Sequence, residues 1–410
     1  MKEENKILGL GEGFGVEMEY MIVDRDSLQI LPITDLLLQE MTGDITADFE
    51  NGDMAWSNEL VLHVVEIKTN GPSPTLEGLS ERFATNITVV NEKLQKHNAM
   101  LLPSGAHPFM NPNKETKIWP HEYNEVYSLY DRIFDCKGHG WSNLQSTHIN
   151  LPFKNDVEFE KLHAAIRLLL PIIPAISAST PILDSKFHGI KDHRLEYYRS
   201  NQKKLPTIAG KVIPEKAFSR KAYEEMIFEK IHKEIEPYDK DNVLSKYFLN
   251  SRGAIARFDR MALEIRIVDI QESPVMDIAI LQLFNSTLNY LMSMQPDQLE
   301  RQKAWEETEL YAIFCDVIIR AEDTEITNAA YLNEFGFEGK SAKASDLWKF
   351  IIKKIGFKNE HIDFILENGT LSTRILKAIQ NDFSKESIIA TYKRLAVCLA
   401  TNKPFQPVVK

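Results

Sequence analysis

Cysteine is scarce in this 410-residue chain, and other features that mark whole classes of protein are missing. Cys136, Cys315 and Cys398 lie far apart and in no ligand spacing, which argues against a disulfide framework and a zinc site. The first six residues, MKEENK, lack the apolar stretch of a signal peptide, and no apolar run approaches the ~20 residues that span a bilayer. These absences predict a cytoplasmic protein that does not cross a membrane.

A basic balance of charge is also absent. The formal net charge is −11, from 48 Lys and Arg against 59 Asp and Glu. Nucleic acids and anionic membranes are usually bound through basic faces, so this balance argues against both as partners. An anionic small-molecule substrate stays compatible with it, because a local cluster of arginines can oppose the overall sign.

Glycine-rich nucleotide loops are missing too, although glycines open the first patterned stretch, GLGEGFGVEMEYMIVD. Neither Gly9 nor Gly11 begins a G-x-G-x-x-G motif, and a strand follows where a dinucleotide fold needs a helix. The tripeptide at 339–341, Gly-Lys-Ser, resembles the end of a Walker A loop, but Glu334 stands where the leading glycine belongs. Neither motif is therefore assigned to nucleotide binding.

The pattern of the chain changes near residue 277. Upstream, strand-like and helix-like segments alternate between glycines and prolines, whereas downstream apolar residues recur three and four apart in long helical patterns. We predict an α+β body at residues 1–276 and a helical C-terminal portion at residues 277–410. The two parts either form separate units or share one core.

Four upstream stretches each predict a strand with one apolar and one polar face. In GVEMEYMI, side chains alternate across the pleat, so Glu17 and Glu19 point away from Val16, Met18 and Tyr20. The helical stretches TLEGLSERFATNITVVNEKLQ and VEFEKLHAAIRLLL are expected to cover the apolar side. The other polar faces carry Leu62, Val64 and Glu66 in LVLHVVEIKT, with Val61, Val65 and Ile67 opposite; His148 and Asn150 in STHINLPF; and Glu264 and Arg266 in MALEIRIVDI.

The glutamates on these faces need a cation or solvent. Residues two apart on a strand project side by side, about 7 Å from each other. Glu17 and Glu19 would repel each other there, and a hard divalent ion such as Mg²⁺, which prefers oxygen ligands, would satisfy both. A solvated edge strand is the other interpretation. Glu66 lies inside an apolar run, where an unpaired charge is costly. Glu59 precedes it by seven residues, so the two share a face only across a bulge or strand end.

Six short motifs in order resemble glutamate–cysteine ligase family 2, a family of carboxylate–amine ligases. They are GVEMEYMIVD, ELVLHVVEIKTN, PSGAHPF, THINL, ISASTPILDS and ALEIRIVD, and the match runs from about Phe14 to Ile270. The resemblance implies a glutamine-synthetase-like α+β fold, in which a curved antiparallel sheet forms a funnel and helices cover its outer face. It also implies ATP and Mg²⁺ or Mn²⁺ as cofactors and amino acids as substrates.

The resemblance also implies roles for individual residues. The matching positions predict metal ligands at Glu17, Glu19, Glu66, His148 and Glu264; ATP-binding residues at Arg257, Arg260 and Arg266; catalytic roles for Glu59, Arg257 and Arg266; and substrate-binding roles for Glu59, Asn150 and Arg199. The family carries an H-x-H or H-x-N motif at His148. This chain departs from the H-x-H form, because Asn150 stands in the place of its second histidine.

The predicted activity is ATP-dependent formation of an amide bond through an acyl phosphate. A carboxylate is a poor electrophile, and ATP activates it, so the protein's task is positioning and charge neutralisation. A guanidino-kinase-like phosphotransferase, a non-catalytic amino-acid-binding homologue and a metal-dependent hydrolase are the alternatives. The apolar C-terminal helices are compatible with a homo-oligomer.

Overall fold

A computed structural model describes residues 7–293 and 295–407, so the opening segment MKEENK lies outside the described residues. Eight strands form one antiparallel sheet, with β5 pairing on the same side of β1 as β6 but further along it. The order of the other seven is β2-β3-β4-β1-β6-β8-β7. These strands are β1 (Gly15–Asp24), β2 (Asp48–Asn51), β3 (Met54–Asn58), β4 (Val64–Thr69), β5 (Ala99–Leu102), β6 (Ser146–Pro152), β7 (Ala254–Arg257) and β8 (Ala262–Asp269).

The apolar face of the sheet forms the main core, as the alternation predicts. Val16, Met18 and Tyr20 on β1 are fully buried in one large hydrophobic cluster. Phe83 and Ile166, from the two helical stretches predicted to cover this face, belong to the same cluster. Burying one side chain of this size contributes about 1.5–3 kcal/mol, so this cluster is the main stabilising feature of the sheet.

Helices surround the sheet and make up most of the chain after it, together with the two-stranded pair β9 (Glu325–Ile326) and β10 (Ala342–Lys343). A π-helical turn at Glu224–Phe228 joins α9 to α10. The helices are α1 (Thr34–Thr42), α2 (Leu79–Leu94), α3 (Pro112–Glu115), α4 (Asn124–Phe134), α5 (His139–Ser142), α6 (Asp156–Leu169), α7 (Pro174–Ser177), α8 (His193–Tyr198), α9 (Arg220–Tyr223), α10 (Glu229–Ile235), α11 (Lys246–Leu249), α12 (Pro274–Met292), α13 (Pro296–Ala304), α14 (Glu307–Arg320), α15 (Ala329–Glu334), α16 (Ala344–Ile355), α17 (Glu360–Asn368), α18 (Leu371–Ile379) and α19 (Lys385–Thr401).

The C-terminal helices pack on both sides of the sheet. Helix α12 lies against α2 and α6, within the main cluster. On the other side, Met21 and Val23 of β1 share a second cluster with Ile375 of α18 and Leu395 of α19. The boundary predicted near residue 277 falls inside the first turn of α12, and a division into two domains stays a prediction. No helix within 7–293 and 295–407 combines the length and hydropathy needed to cross a bilayer.

One predicted strand begins later than its pattern indicates. A turn precedes β4, in which the Val64 N–H donates to the Val61 carbonyl at 3.2 Å. Val61 and Val64 therefore lie together in the second cluster, whereas Leu62 and Val65 lie in the first. The predicted faces of Val61 and Leu62 are wrong because the turn interrupts the two-residue alternation of a strand.

Candidate active site

The polar face of the sheet borders a cavity of about 470 Å³. Helices α4, α5, α8 and α11 and the loops next to them contribute the rest of its wall. Predicted site residues line it from several strands: Glu19, Glu59, His148, Glu264, Arg257 and Arg266.

The strand register brings the predicted acids and His148 together. Across the pairs that flank β1, Glu17 lies opposite His148 and Glu19 lies opposite Glu66. On the next pair, Asn150 of β6 lies opposite Glu264 of β8. Four polar faces that are distant in sequence therefore form one surface.

Two groups of side chains have oxygen or nitrogen atoms close enough to share a metal ion. Glu17, Glu66 and His148 form one group, and Glu19, Glu59 and Glu66 form the other. Within each group, the ligand atoms all lie within 4.8 Å of one another. Carboxylate oxygens are the ligands that Mg²⁺ prefers, so this donor set fits a hard divalent cation. Glu66 belongs to both groups.

Glu59 reaches this surface because it follows the end of β3, before the turn that leads into β4. Because Glu59 lies beyond the end of β3, it can share a face with Glu66 despite the odd offset of seven residues between them. Burial and the nearby carboxylates of Glu19 and Glu66 raise the pKa of Glu59 well above its ordinary value. Burial therefore favours the protonated carboxyl group, and a cation such as an ammonium group placed beside it would favour the carboxylate instead.

His148 is the central residue of the site. Its Nδ1 lies 3.1 Å from Glu17 Oε2 and 3.8 Å from Glu264 Oε1. Its Nε2 lies 2.8 Å from Ser146 Oγ, and Glu19 accepts hydrogen bonds from the Ser146 N–H at 2.7 Å and hydroxyl at 3.0 Å. Burial lowers the pKa of His148 despite the opposing effect of Glu19. The neutral imidazole is thus favoured, the form that binds metals.

Arginines occupy the opposite side of the cavity, on β7 and β8. Arg266 Nε lies 3.1 Å from Glu264 Oε1, and Arg257 Nη1 lies 3.7 Å from Glu264 Oε2. Arg257 also forms a bidentate ion pair with Asp259. Burial opposes the charge of Arg266, but Glu264, Tyr198 and the glutamates of β1 together raise its pKa. Both guanidinium groups are therefore cationic beside the site.

The three remaining residues predicted to bind substrate or ATP have three different environments. Asn150 donates to Glu17 at 3.1 Å, while its buried Oδ1 has no hydrogen-bond partner among the described residues. Arg260 is exposed in the turn between β7 and β8 and does not line the cavity. Arg199 does not line it either, because its guanidinium pairs with Glu196, one turn earlier, and donates to Tyr311. The structure therefore does not bring Arg199 to the site, contrary to its predicted substrate contact.

Arg194 lines the cavity although its sequence context did not single it out. It is 2% exposed, and its guanidinium donates to Asp269 Oδ1 at 3.2 Å and to the Arg266 carbonyl at 2.9 Å. Lys68 was also missed, and its ammonium lies 2.8 Å from Glu66. The signal that could have found Lys68 was its place beside Glu66 on β4, two residues along the same face.

Comparisons with known proteins agree with the resemblance found in the sequence. Residues 13–313 match the family described as Glutamate-cysteine ligase family 2 (GCS2). An uncharacterized protein of Archaeoglobus fulgidus is 32% identical over 403 residues, which cover 95% of this chain and 99% of the relative. A Bradyrhizobium diazoefficiens protein named "Putative glutamate--cysteine ligase 2" is 28% identical over 221 residues, covering 52% of this chain and 46% of that protein. The matched part is thus about half of each.

A solved structure shows the same fold. The crystal structure of glutamate–cysteine ligase from Francisella tularensis in complex with AMP superposes with a TM-score of 0.55. The superposition covers 97% of this chain and 90% of the other, at 11% sequence identity. The predicted fold, with its antiparallel sheet and helical C-terminal part, is confirmed.

Proposed function

The chain belongs to glutamate–cysteine ligase family 2, and from this premise we propose that it is an ATP-dependent carboxylate–amine ligase. The proposal is supported most by one observation. Four carboxylates and a histidine lie close enough together to share a cation, and two cationic arginines lie next to them at Glu264. That division of charge suits a reaction between a polyphosphate, a carboxylate and an amine.

The proposed reaction has two steps. A substrate carboxylate oxygen attacks the γ-phosphorus of ATP, the bond to the β,γ-bridging oxygen breaks, and ADP leaves. The amine nitrogen then attacks the carbonyl carbon of the acyl phosphate, inorganic phosphate leaves with the bonding electron pair, and the nitrogen loses a proton. Phosphoryl transfer depends chiefly on positioning and on neutralising charge, so the protein needs no covalent nucleophile.

The donor set fits Mg²⁺ or Mn²⁺, held by Glu17, Glu19, Glu66, His148 and Glu264. When bound, the metal would neutralise the negative charge of the phosphates. Arg257 and Arg266 would stabilise the phosphoryl group during transfer. Glu59 would bind the substrate ammonium group, whose positive charge favours the Glu59 carboxylate, and would accept its proton.

The decisive experiment measures ADP formation with pairs of amino acids, Mg²⁺ and ATP. Glu17→Gln and Glu264→Gln are each expected to lower amine-dependent ADP formation by at least ~100-fold, because each removes a carboxylate that we assign to holding the metal ion. Circular dichroism should show an intact fold. Glu77→Gln, at an exposed position outside the cavity, is the matched control and should keep wild-type turnover.

Near-normal turnover of either site variant would contradict the metal assignment. Product analysis tests the phosphotransferase alternative, which shares this cavity. A ligase releases inorganic phosphate only when the amine is present, whereas a kinase leaves a stable phosphorylated acceptor.

A further inference from the structure

Around the turn that leads into β4, the cavity wall carries the apolar side chains of Val61, Val64, Trp141 and Leu144. We call this end of the cavity the apolar subsite. The two valines are almost fully buried, at 3% and 2% exposure, while Trp141 and Leu144 are partly exposed. The proposed chemistry of phosphates and metals does not use these side chains.

The subsite lies on the far side of the acidic cluster from the Arg257–Asp259 pair. Val64 is two residues before Glu66 on the same face of β4, about 7 Å away. Arg257 and Asp259 line the cavity at the β7–β8 turn, across β1, β6 and β8 from β4. If phosphates lie near Arg257, the space beside Val64 belongs to another part of the substrates.

Helix α5 holds Trp141 over this end. The His63 imidazole lies 2.8 Å from the Ser142 carbonyl, and the Thr116 hydroxyl donates to Ser142 Oγ at 2.7 Å. The Trp141 ring packs edge-on against Tyr130, with centroids 5.1 Å apart. These contacts join α5 to the turn that follows Glu59, so the apolar wall is preorganised next to that carboxyl group.

Charged groups beside the subsite have other partners. Arg194 donates its terminal nitrogens to Asp269 and to the Arg266 carbonyl. Glu59 is the carboxyl group to which the proposed function gives the substrate ammonium. A charged side chain placed against Trp141 would lose its hydration without a counter-ion, which costs several kcal/mol.

We propose that the amine substrate is an amino acid with a large, uncharged, apolar side chain that lies against Trp141. This inference rests on the proposed function and narrows its substrate class. The backbone ammonium lies at Glu59, and the side chain fills the space between Val61, Val64 and Leu144.

The first test measures binding without turnover. Titration with L-leucine or L-phenylalanine, without ATP, should change the tryptophan fluorescence, whereas L-lysine and L-aspartate should not. Trp56, Trp119 and Trp348 are fully buried elsewhere in the fold. The change should disappear in Trp141→Phe. It should persist in Trp305→Phe, because the Trp305 indole donates to Glu334 and does not line the cavity.

The second test measures selectivity during turnover. Trp141→Ala and Leu144→Ala should each lower kcat/KM for L-leucine relative to glycine by ~10-fold or more, because removing apolar contacts weakens discrimination by that order. The KM for ATP should stay within twofold of the wild-type value. Leu144→Ala keeps the test open if Trp141→Ala does not fold.

Two results would overturn the inference. A change in Trp141 fluorescence on adding AMP but not leucine would assign the subsite to the nucleotide base. Unchanged selectivity in both folded variants would show that these side chains do not contact the amine substrate. Leucine binding at Trp141 without ADP formation for any amine would support the subsite and contradict the proposed function. The two proposals therefore fail separately.

Discussion

The two halves of the candidate active site differ in how their charged groups are paired. The acidic half carries four carboxylates, those of Glu17, Glu19, Glu59 and Glu66. Within the described part of the chain, the basic groups beside them are Lys68 and the largely neutral His148. On the arginine half, formed by β7, β8 and α8, each carboxylate has a guanidinium partner: Arg266 and Arg257 at Glu264, Arg257 at Asp259, and Arg194 at Asp269.

This difference in charge pairing indicates which ligand each half suits. Uncompensated carboxylates destabilise a metal-free fold, so the acidic half gains most when a cation binds. Compensated pairs are rigid without a ligand, so the arginine half can hold its side chains in place before phosphate arrives. Neutralising a charge should therefore have opposite effects on stability in the two halves.

The largest effect is expected for Arg194→Met. It leaves the fully buried Asp269 carboxylate without its arginine, which should cost ~3–5 kcal/mol in the free energy of unfolding. Urea denaturation measures this loss. Because Arg194 also holds the Arg266 carbonyl, we expect the KM for ATP to rise about tenfold at temperatures where the variant is folded.

Arg252→Met is the matched control for this prediction. Arg252 is equally buried and pairs with Glu215, but it lies outside the cavity lining. It should lose comparable stability and keep the wild-type KM for ATP. An unchanged KM in Arg194→Met would make Arg194 a purely structural residue.

Most of the acidic half was predictable from sequence because its chemistry is local to each strand. The alternation around Met18 places Glu17 and Glu19 on one face whatever the strand pairs with. His148 and Glu264 follow from the same rule. Their convergence depends on the strand order, which period-two patterns do not contain; the family resemblance implied only that the polar faces line one funnel.

The arginine half was less predictable because helices and loops decide which arginine reaches the site. Arg194 and Arg199 are five residues apart around α8, and the family resemblance implied the second. Arg194 reaches the site because it bonds to Asp269 and to the Arg266 carbonyl, which lie far along the chain. Arg199 instead pairs with Glu196. Helix α5 has four residues, too few for a periodic signal, so Trp141 also escaped prediction.

A smaller effect should appear in the pH dependence of stability. Burial lowers the pKa of His63 from 6.5 to about 4, and this residue anchors the turn next to Glu59. Between pH 6.5 and pH 4, the unfolded chain binds a proton at His63 that the folded chain does not, so stability falls as the pH falls through this window. The arginines opposite do not titrate there.

His63→Gln should flatten that decline by roughly 2 kcal/mol, because a glutamine has no proton to gain and its amide can still donate to the Ser142 carbonyl. Urea denaturation at a series of pH values measures the slope. His232→Gln, at an exposed position on α10, should keep the wild-type slope. An equal slope in the His63 variant would assign the acid sensitivity to other groups.

The smallest expected effect has the most informative sign. In Glu19→Gln, the new amide oxygen can still accept the Ser146 N–H, but one of the charges that raise the pKa of Glu59 is gone. Without Mg²⁺, the free energy of unfolding at neutral pH should therefore rise by ~1 kcal/mol. Added Mg²⁺ should raise the wild-type Tm more than that of the variant, which has lost a ligand. Differential scanning fluorimetry with and without Mg²⁺ measures both. A lower Tm in metal-free Glu19→Gln would show that the acidic half is already compensated, and the contrast between the halves would then be wrong.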